Sequence, residues 1–171
     1  MLFKQIDGWT YEYFPSGESF SCPDHAAGFV ELWAQKRGGR IGPALKDYDW
    51  DELKPWWGRM VITDILRDPF DYRYRLFGTH LTDVFETDPT GRKASELMDD
   101  TRYEISHDMQ FYRFLCDNPA VVHSHGVLYW QDRDHIECDF VEVPLSHDGV
   151  TVTNVFSVFS SGSWVRDDGL P

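Results

Sequence analysis

A chain of 171 residues and 20.0 kDa, 42% of it hydrophobic, suits one globular domain with short additions. Sixteen Lys and Arg against 29 Asp and Glu leave a net charge of −13 and a pI near 4.7, which excludes a general affinity for nucleic acid or anionic lipid. Aromatic residues at 16%, seven Trp among them, supply a packed core and exclude disorder, and no apolar run approaches the ~18 residues of a membrane helix.

Trp9, Tyr11 and Tyr13 alternate, as in a short edge strand, and Pro15 to Gly17 form a turn. Ala26, Phe29, Val30, Trp33 and Ala34 fall at i, i+3, i+4, i+7 and i+8, which predicts an amphipathic helix over Asp24–Arg37. Ser21 or Asp24 can cap its start, Lys36 and Arg37 suit its negative end, and Gly38-Gly39 provides a left-handed stop. Ile41 to Trp57 is a connector carrying a short helix, anchored by Trp50, Leu53, Trp56 and Trp57. Arg59–Leu66 and Tyr72–Phe77 are rich in β-branched and aromatic residues and flank Asp68-Pro69, a hairpin pattern.

Thr79 can cap a short helix through Leu81, Val84 and Phe85. Asp88–Gly91 is a turn, and Ala94–Met98 another helical turn. Thr101-Arg-Tyr-Glu104 fits a capping box that opens a long helix, with Ile105, Met109, Tyr112 and Cys116 on one face and Phe111, Phe114 and Leu115 beside them. Asn118-Pro119 stops it. Val121–Trp130 and His135–Leu145 flank the turn Gln131–Asp134, and Val150–Phe159 follows a turn at His147–Gly149. The tail after Ser160 is small and polar.

Two strands, a helical block and three strands exclude a doubly wound parallel sheet, which needs alternation. The fold expected is α+β, one five-stranded antiparallel sheet with helices covering one face and an N-terminal amphipathic helix. Residues 1–23 form an extension, 24–57 the N-terminal helix and connector, 58–160 the core and 161–171 a tail.

A pocket is expected where the helices stand off from the sheet. Its candidate lining is Phe77, Phe85, Leu97, Phe111, Phe114 and Leu115 on the helical side, with Val127, Tyr129, Cys138, Phe140 and Phe156 from the sheet. A closed core would use the same residues. Arg73 and Arg75 share one strand face, alternating with Tyr72, Tyr74 and Leu76. They either face outward and pair with carboxylates, or, with Arg75 turned inward, anchor an anionic ligand.

His123 and His125 project from one strand face, with His135 and Cys138 on the next strand. The intervening turn puts Trp130 opposite His135 and away from the two histidines, so no metal site is expected. His80 and His107 are the helical candidates for a haem ligand, but His107 lies between Ser106 and Asp108 on the side expected to face water. Cys116 follows Arg113-Phe-Leu, out of order for a flavin-photosensor motif. Neither haem nor flavin is expected. Gly-x-Ser-x-Gly, phosphate-binding glycine loops, His-Glu-x-x-His and Cys-x-x-Cys are absent, and Ser106-His107-Asp108 diverge along a helix. No catalytic residue stands out. The three cysteines, Cys22, Cys116 and Cys138, are odd in number and far apart, which argues against a disulfide framework. With no signal-peptide run at the start, a cytoplasmic setting is the expectation.

Leu32-Trp33 on the first helix, the run from Gly42-Pro43 to Asp51, Arg73-Tyr-Arg-Leu-Phe-Gly-Thr79 and the turn Asp88-Pro-Thr-Gly-Arg92 together resemble a bacterial subfamily of small stand-alone PAS-type proteins. The similarity spans residues 24–160. It implies a sensory or protein-interaction module without catalysis, a small unidentified ligand between sheet and helices, and homodimerisation through the helix before the core. The stripe Ala26, Phe29, Val30 and Trp33 is then the candidate dimer interface. Since the sensor uses up the chain, output is expected through a protein signalling partner, with no nucleic acid and no membrane involved. The rival reading is a small α+β enzyme with a His/Asp acid–base pair in the cavity.

Overall fold

The computed structural model describes residues 2–6, 8–15, 18, 21–100, 103, 105–128 and 133–162, with positions 2–6 and 134 described by backbone alone. Thr101 and Glu104 of the capping box, Tyr129, Gln131 and the tail beyond Gly162 lie outside these. The architecture is α+β. Strands β1 (Leu2–Ile6) and β2 (Trp9–Pro15) precede helix α1 (Asp24–Arg37). Next come β3 (Met60–Arg67), β4 (Phe70–Phe77), α2 (Thr79–Phe85), α3 (Ile105–Asp117), β5 (Ala120–Leu128), β6 (Arg133–Leu145) and β7 (Asn154–Gly162). Short 3₁₀ turns at Leu45–Asp47, Trp50–Trp56 and Ala94–Glu96 complete it.

The seven strands of the described residues form one antiparallel sheet in the order β1-β2-β5-β6-β7-β3-β4. The expectation of five strands is corrected here: Leu2–Ile6 and Trp9–Pro15 pair with each other, and the second of them continues the sheet beyond β5. The alternation of Trp9, Tyr11 and Tyr13 was its visible signal, and all three side chains are buried.

A second correction concerns the sheet's faces, because both are covered. Helices α2 and α3 and the turn at 94–96 pack over one face, with Tyr11, Val61, Tyr72, Leu81, Phe111 and Phe159 in the shared core. Helix α1 and the connector pack over the other, against Ile62, Val141, Val143, Leu145, Phe156 and Val158. Ala26, Phe29 and Trp33 are therefore buried within their own chain, so they form no free dimer surface, and Val30 packs at the edge of the same cluster. The physical reason lies in the sheet: β6 and β7 present apolar residues on both sides, and a bare apolar face needs a cover. Phe29 meets Phe156 edge-on with centroids 4.8 Å apart, and the Trp33 indole Nε1–H donates to the Pro144 carbonyl at 2.8 Å.

Helix α1 keeps the predicted bounds and ends at Gly38, whose φ of 57° favours glycine. Its N-cap is Pro23, which makes no side-chain cap bond, so neither Ser21 nor Asp24 plays that part. Gly78, at the end of β4, has a different constraint. A Cβ there would lie 2.3 Å from the Gly58 carbonyl oxygen, so only glycine lets the two segments approach. The described cysteines are all free thiols, and no helix among the described residues is long and apolar enough to cross a membrane.

Candidate functional site

Cross-strand partners share a face, and the register runs one row through Tyr13, Val122, Glu142, Ser157, Val61 and Phe77. This row lies under α2 and α3 and puts the Glu142 carboxyl, with the Ser157 hydroxyl beside it, in the middle of a mostly apolar layer. Above it, α3 contributes His107, Asp108, Phe111 and Tyr112, and the gap between the layers is a cavity of about 90 Å³. Trp9, Tyr11, Tyr74, Phe77, Phe85 and Phe140 supply most of the remaining wall, with Ser124 and Ser157 on the floor.

The polar groups form two linked sets. On the helix side, Asp108 Oδ2 accepts from the hydroxyls of Tyr72 and Tyr74, each at 3.3 Å, and Tyr112 and Thr63 share a hydroxyl contact of 3.2 Å. On the sheet side, the Ser124 hydroxyl donates to Glu142 Oε1 at 3.4 Å. Glu142 is 7% exposed, and its Oε2 is buried with no hydrogen-bond partner among the described residues. Burial first, and the Asp108 charge second, push the Glu142 carboxyl well above the usual carboxylate range, against a smaller opposing pull from Ser124. Burial likewise raises Tyr11, Tyr74 and Tyr112, with Asp108 adding to each, so these phenols remain hydrogen-bond donors. The site thus offers two carboxyl groups in different settings and several hydroxyls beside an aromatic wall. Among the described residues no Lys or Arg lines it.

Of the residues expected to line a pocket, Phe77, Phe85, Phe111 and Phe140 border this cavity. Leu97 and Leu115 are packed into the core beside it, and Phe114 stands edge-on to Tyr13 with centroids 4.7 Å apart. Arg75 is corrected. Its Nε donates to Asp64 Oδ1 at 2.6 Å, while Arg73 holds Oδ2 through Nε and Nη2, because Tyr72 and Tyr74 take the inner face of β4. Phe156 is corrected too: it lies on the opposite face against Phe29 and Tyr48, since β7 is buried on both sides and shows no alternation to read. Val127 and Cys138 border a different, open groove, and Tyr129 lies outside the described residues. His107, expected in water, is 5% exposed and meets the Tyr11 ring edge-on at 5.3 Å.

Sequence reasoning missed Glu142, Asp108 and His107. A signal for Glu142 was present: Val141, Val143 and Leu145 fill one face of β6, which sends Glu142 to the other, beside Phe140.

The open groove lies at the end of the sheet toward α1. His123 and His125 do share a face, with ring centroids 5.2 Å apart, and His25 of α1 joins them. His123 Nε2 lies 3.0 Å from Asp139 Oδ2 and its Nδ1 lies 3.3 Å from Glu12, while His25 Nε2 lies 3.5 Å from Asp139 Oδ1. Burial, the largest influence on both rings, lowers His25, whereas at His123 the Asp139 and Glu12 contacts together outweigh it and raise the pKa. Among the described residues no group of three or more His, Cys, Asp or Glu side chains is placed to hold a metal ion. His80 contacts the Ser161 hydroxyl at 3.3 Å.

Comparison with models of protein families, with curated proteins and with solved structures finds no match to this chain.

Proposed function

We propose that this chain is a PAS-type sensory or interaction module that acts without catalysis, holds a small ligand between sheet and α3, and passes its signal to a protein partner. The observation that carries this reading is the cavity itself: about 90 Å³ of space bordered by aromatic side chains, with a buried carboxyl whose Oε2 has no hydrogen-bond partner among the described residues. Support also comes from the order of elements, two strands, a helical block and three strands, as the resemblance over residues 24–160 implies. The added hairpin and α1 enlarge that frame on its flank and second face without entering the helical block. A reducing, cytoplasmic setting fits three free thiols, of which burial raises Cys138 to about 12. Homodimerisation belongs to this proposal as well, but through a surface other than the buried stripe of α1.

Native mass spectrometry of freshly purified protein tests the reading. A small non-covalent adduct that is lost on denaturation, and retained less by a cavity-filling Ser157→Leu variant, is the expected result. Bare protein whose stability responds to no small solute would remove the basis for a sensor.

A second reading, a small enzyme, is favoured by one observation: Asp108 and Glu142 line one cavity with opposite electrostatic settings, one accepting two hydroxyl bonds and the other pushed toward its neutral form. Paired carboxyls held apart in this way are how acid and base roles are divided. His107, beside Asp108, would supply the histidine of the acid–base pair. Turnover of a bound small molecule, abolished in Glu142→Gln, would favour this reading over the first.

A further inference from the structure

We propose that the first turn of α1 is an acid-sensitive latch: it lies against β5 and β6 while His25 is neutral, and a proton taken up by His25 releases it and opens the groove beside it. Thr10, His123, His125, Glu137, Asp139 and Ser160 line that groove from the sheet, and among the described residues His25 is what α1 contributes to its wall. The latch stands whether or not the cavity beneath α3 takes a ligand.

The turn is poised to move. Its N-cap, Pro23, makes no side-chain cap bond, and Gly28 stands inside the helix, where glycine weakens it relative to alanine. Ala26 is its small buried anchor, whereas the large ones, Phe29 and Trp33, come later in the helix. One end is therefore held lightly and the other firmly. Each end also carries its own reporter. Trp56 donates its indole Nε1–H to the His25 carbonyl at 3.2 Å, and Trp33 donates its own to the Pro144 carbonyl at 2.8 Å.

Geometry sets the sign of the response. The His25 side chain is 15% exposed, and its Nε2 lies 3.5 Å from Asp139 Oδ1, yet neither atom makes a hydrogen bond among the described residues. The other Asp139 oxygen lies 3.0 Å from His123 Nε2. An imidazolium at His25 would thus share a carboxylate already engaged by His123, without the hydrogen bond that offsets burying a charge. It would also stand at the positive end of the helix. Among the described residues, the charged and titratable groups facing His25 are Asp139 from β6, His123 from β5, Arg59 before β3 and Asp24 on its own turn. Glu12 of β2 and His125 of β5 stand against His123 in turn. Burial leads in lowering the His25 pKa; Asp139 opposes it, His123 and Arg59 add to it, and Asp24 opposes it again.

Once released, the ring returns to its ordinary value of 6.5. Above that pH both forms are neutral and pH has no effect. As pH falls from 6.5 toward the lowered value, only the released form binds the proton, so the ratio of released to held turn rises by up to about tenfold per pH unit. Below the lowered value the rise levels off.

Hydrogen exchange of the full chain, followed by NMR from about pH 7.5 to about 5 and corrected for intrinsic exchange, tests the latch. Gly28 and Phe29, whose helical acceptors are the Asp24 and His25 carbonyls, and the Trp56 indole should lose protection by up to about tenfold per pH unit below 6.5, while the Trp33 indole keeps it. The loss should level off at the pH where the His25 ring itself titrates. His25→Gln, which takes up no proton, should flatten this dependence, and His123→Gln should move the His25 titration upward. Protection that does not fall below pH 6.5 would overturn the latch. So would an equal fall at the Trp33 indole, which is unfolding of the whole domain, or a fall that persists in a folded His25→Gln. If that variant does not fold, the wild-type ring decides: titration at or above 6.5 overturns the latch, and titration below 6.5 at the pH where the loss ceases upholds it.

Discussion

Replacing Glu142 by Gln keeps the shape of the side chain and removes its ability to ionise, and the consequence for stability has a definite sign. In the unfolded chain Glu142 ionises near 4.5, whereas in the folded chain burial and Asp108 raise its pKa well above that value. Below pH 4.5 both states carry the proton and the group makes no pH-dependent contribution. As pH climbs from there toward the raised folded value, only the unfolded state releases the proton, so wild-type stability falls by about 1.4 kcal/mol per pH unit on account of this one group. Above the folded value the loss levels off. The Gln variant has no such slope. Its stability relative to wild type should therefore grow as pH climbs above 4.5, by up to about 1.4 kcal/mol per pH unit for as long as the folded state holds the proton, which at an m-value of about 2 kcal/mol/M moves the difference in urea midpoints by up to about 0.7 M per unit. Urea melts of both proteins at a series of pH values measure this directly. Parallel pH profiles would show that Glu142 ionises alike in both states and would refute the electrostatic picture of the cavity.

Phe29→Ala should cost about 3–5 kcal/mol in urea unfolding, since the ring is fully buried between α1 and the sheet; a loss below about 1 kcal/mol would mean that α1 does not dock there. Gly78→Ala should destabilise by about 2 kcal/mol or more, because its Cβ meets backbone at 2.3 Å, and a neutral effect on thermal unfolding would contradict the close passage of residues 58 and 78. NMR titration should find His123 above its ordinary 6.5 and His25 below it, with Asp139→Asn lowering His123. The stability that His123 contributes is then present below pH 6.5 and lost as pH rises through its raised value. A His123 that titrates below 6.5 would break the Glu12–His123–Asp139 chain.

How much of this was legible in the residues depends on which faces each element shows. Helix α1 was readable to its end points because an apolar stripe, basic last turn and glycine stop all agree. The hairpin of β3 and β4 was equally plain from its β-branched and aromatic runs on either side of Asp68-Pro69, but the facing of Arg73 and Arg75 was left open, and the structure turns both out to Asp64. What α1 covers was not legible: an amphipathic stripe reports that something is buried, not whether it is buried against a second copy or its own sheet. The two-sided burial of β7 hid the orientation of Phe156 for a related reason, because a strand covered on both faces loses its period of two. The cavity was half visible. Its phenylalanines were evident, but His107 and Asp108 looked solvated next to Ser106, and only tertiary packing turns that edge of α3 inward.

The most direct test of the central claim, that the space between α3 and the sheet receives a ligand, is chemical-shift mapping of the full chain during titration with small solutes of each charge: acetamide, methylammonium and acetate. Saturable shifts should concentrate at Ser124, Phe140, Glu142 and Ser157 on the sheet and at His107 to Tyr112 on α3, leaving Phe29, Trp33 and the His25–His123 groove unmoved. Shifts centred on that groove, or spread without saturation over the acidic surface, would contradict it.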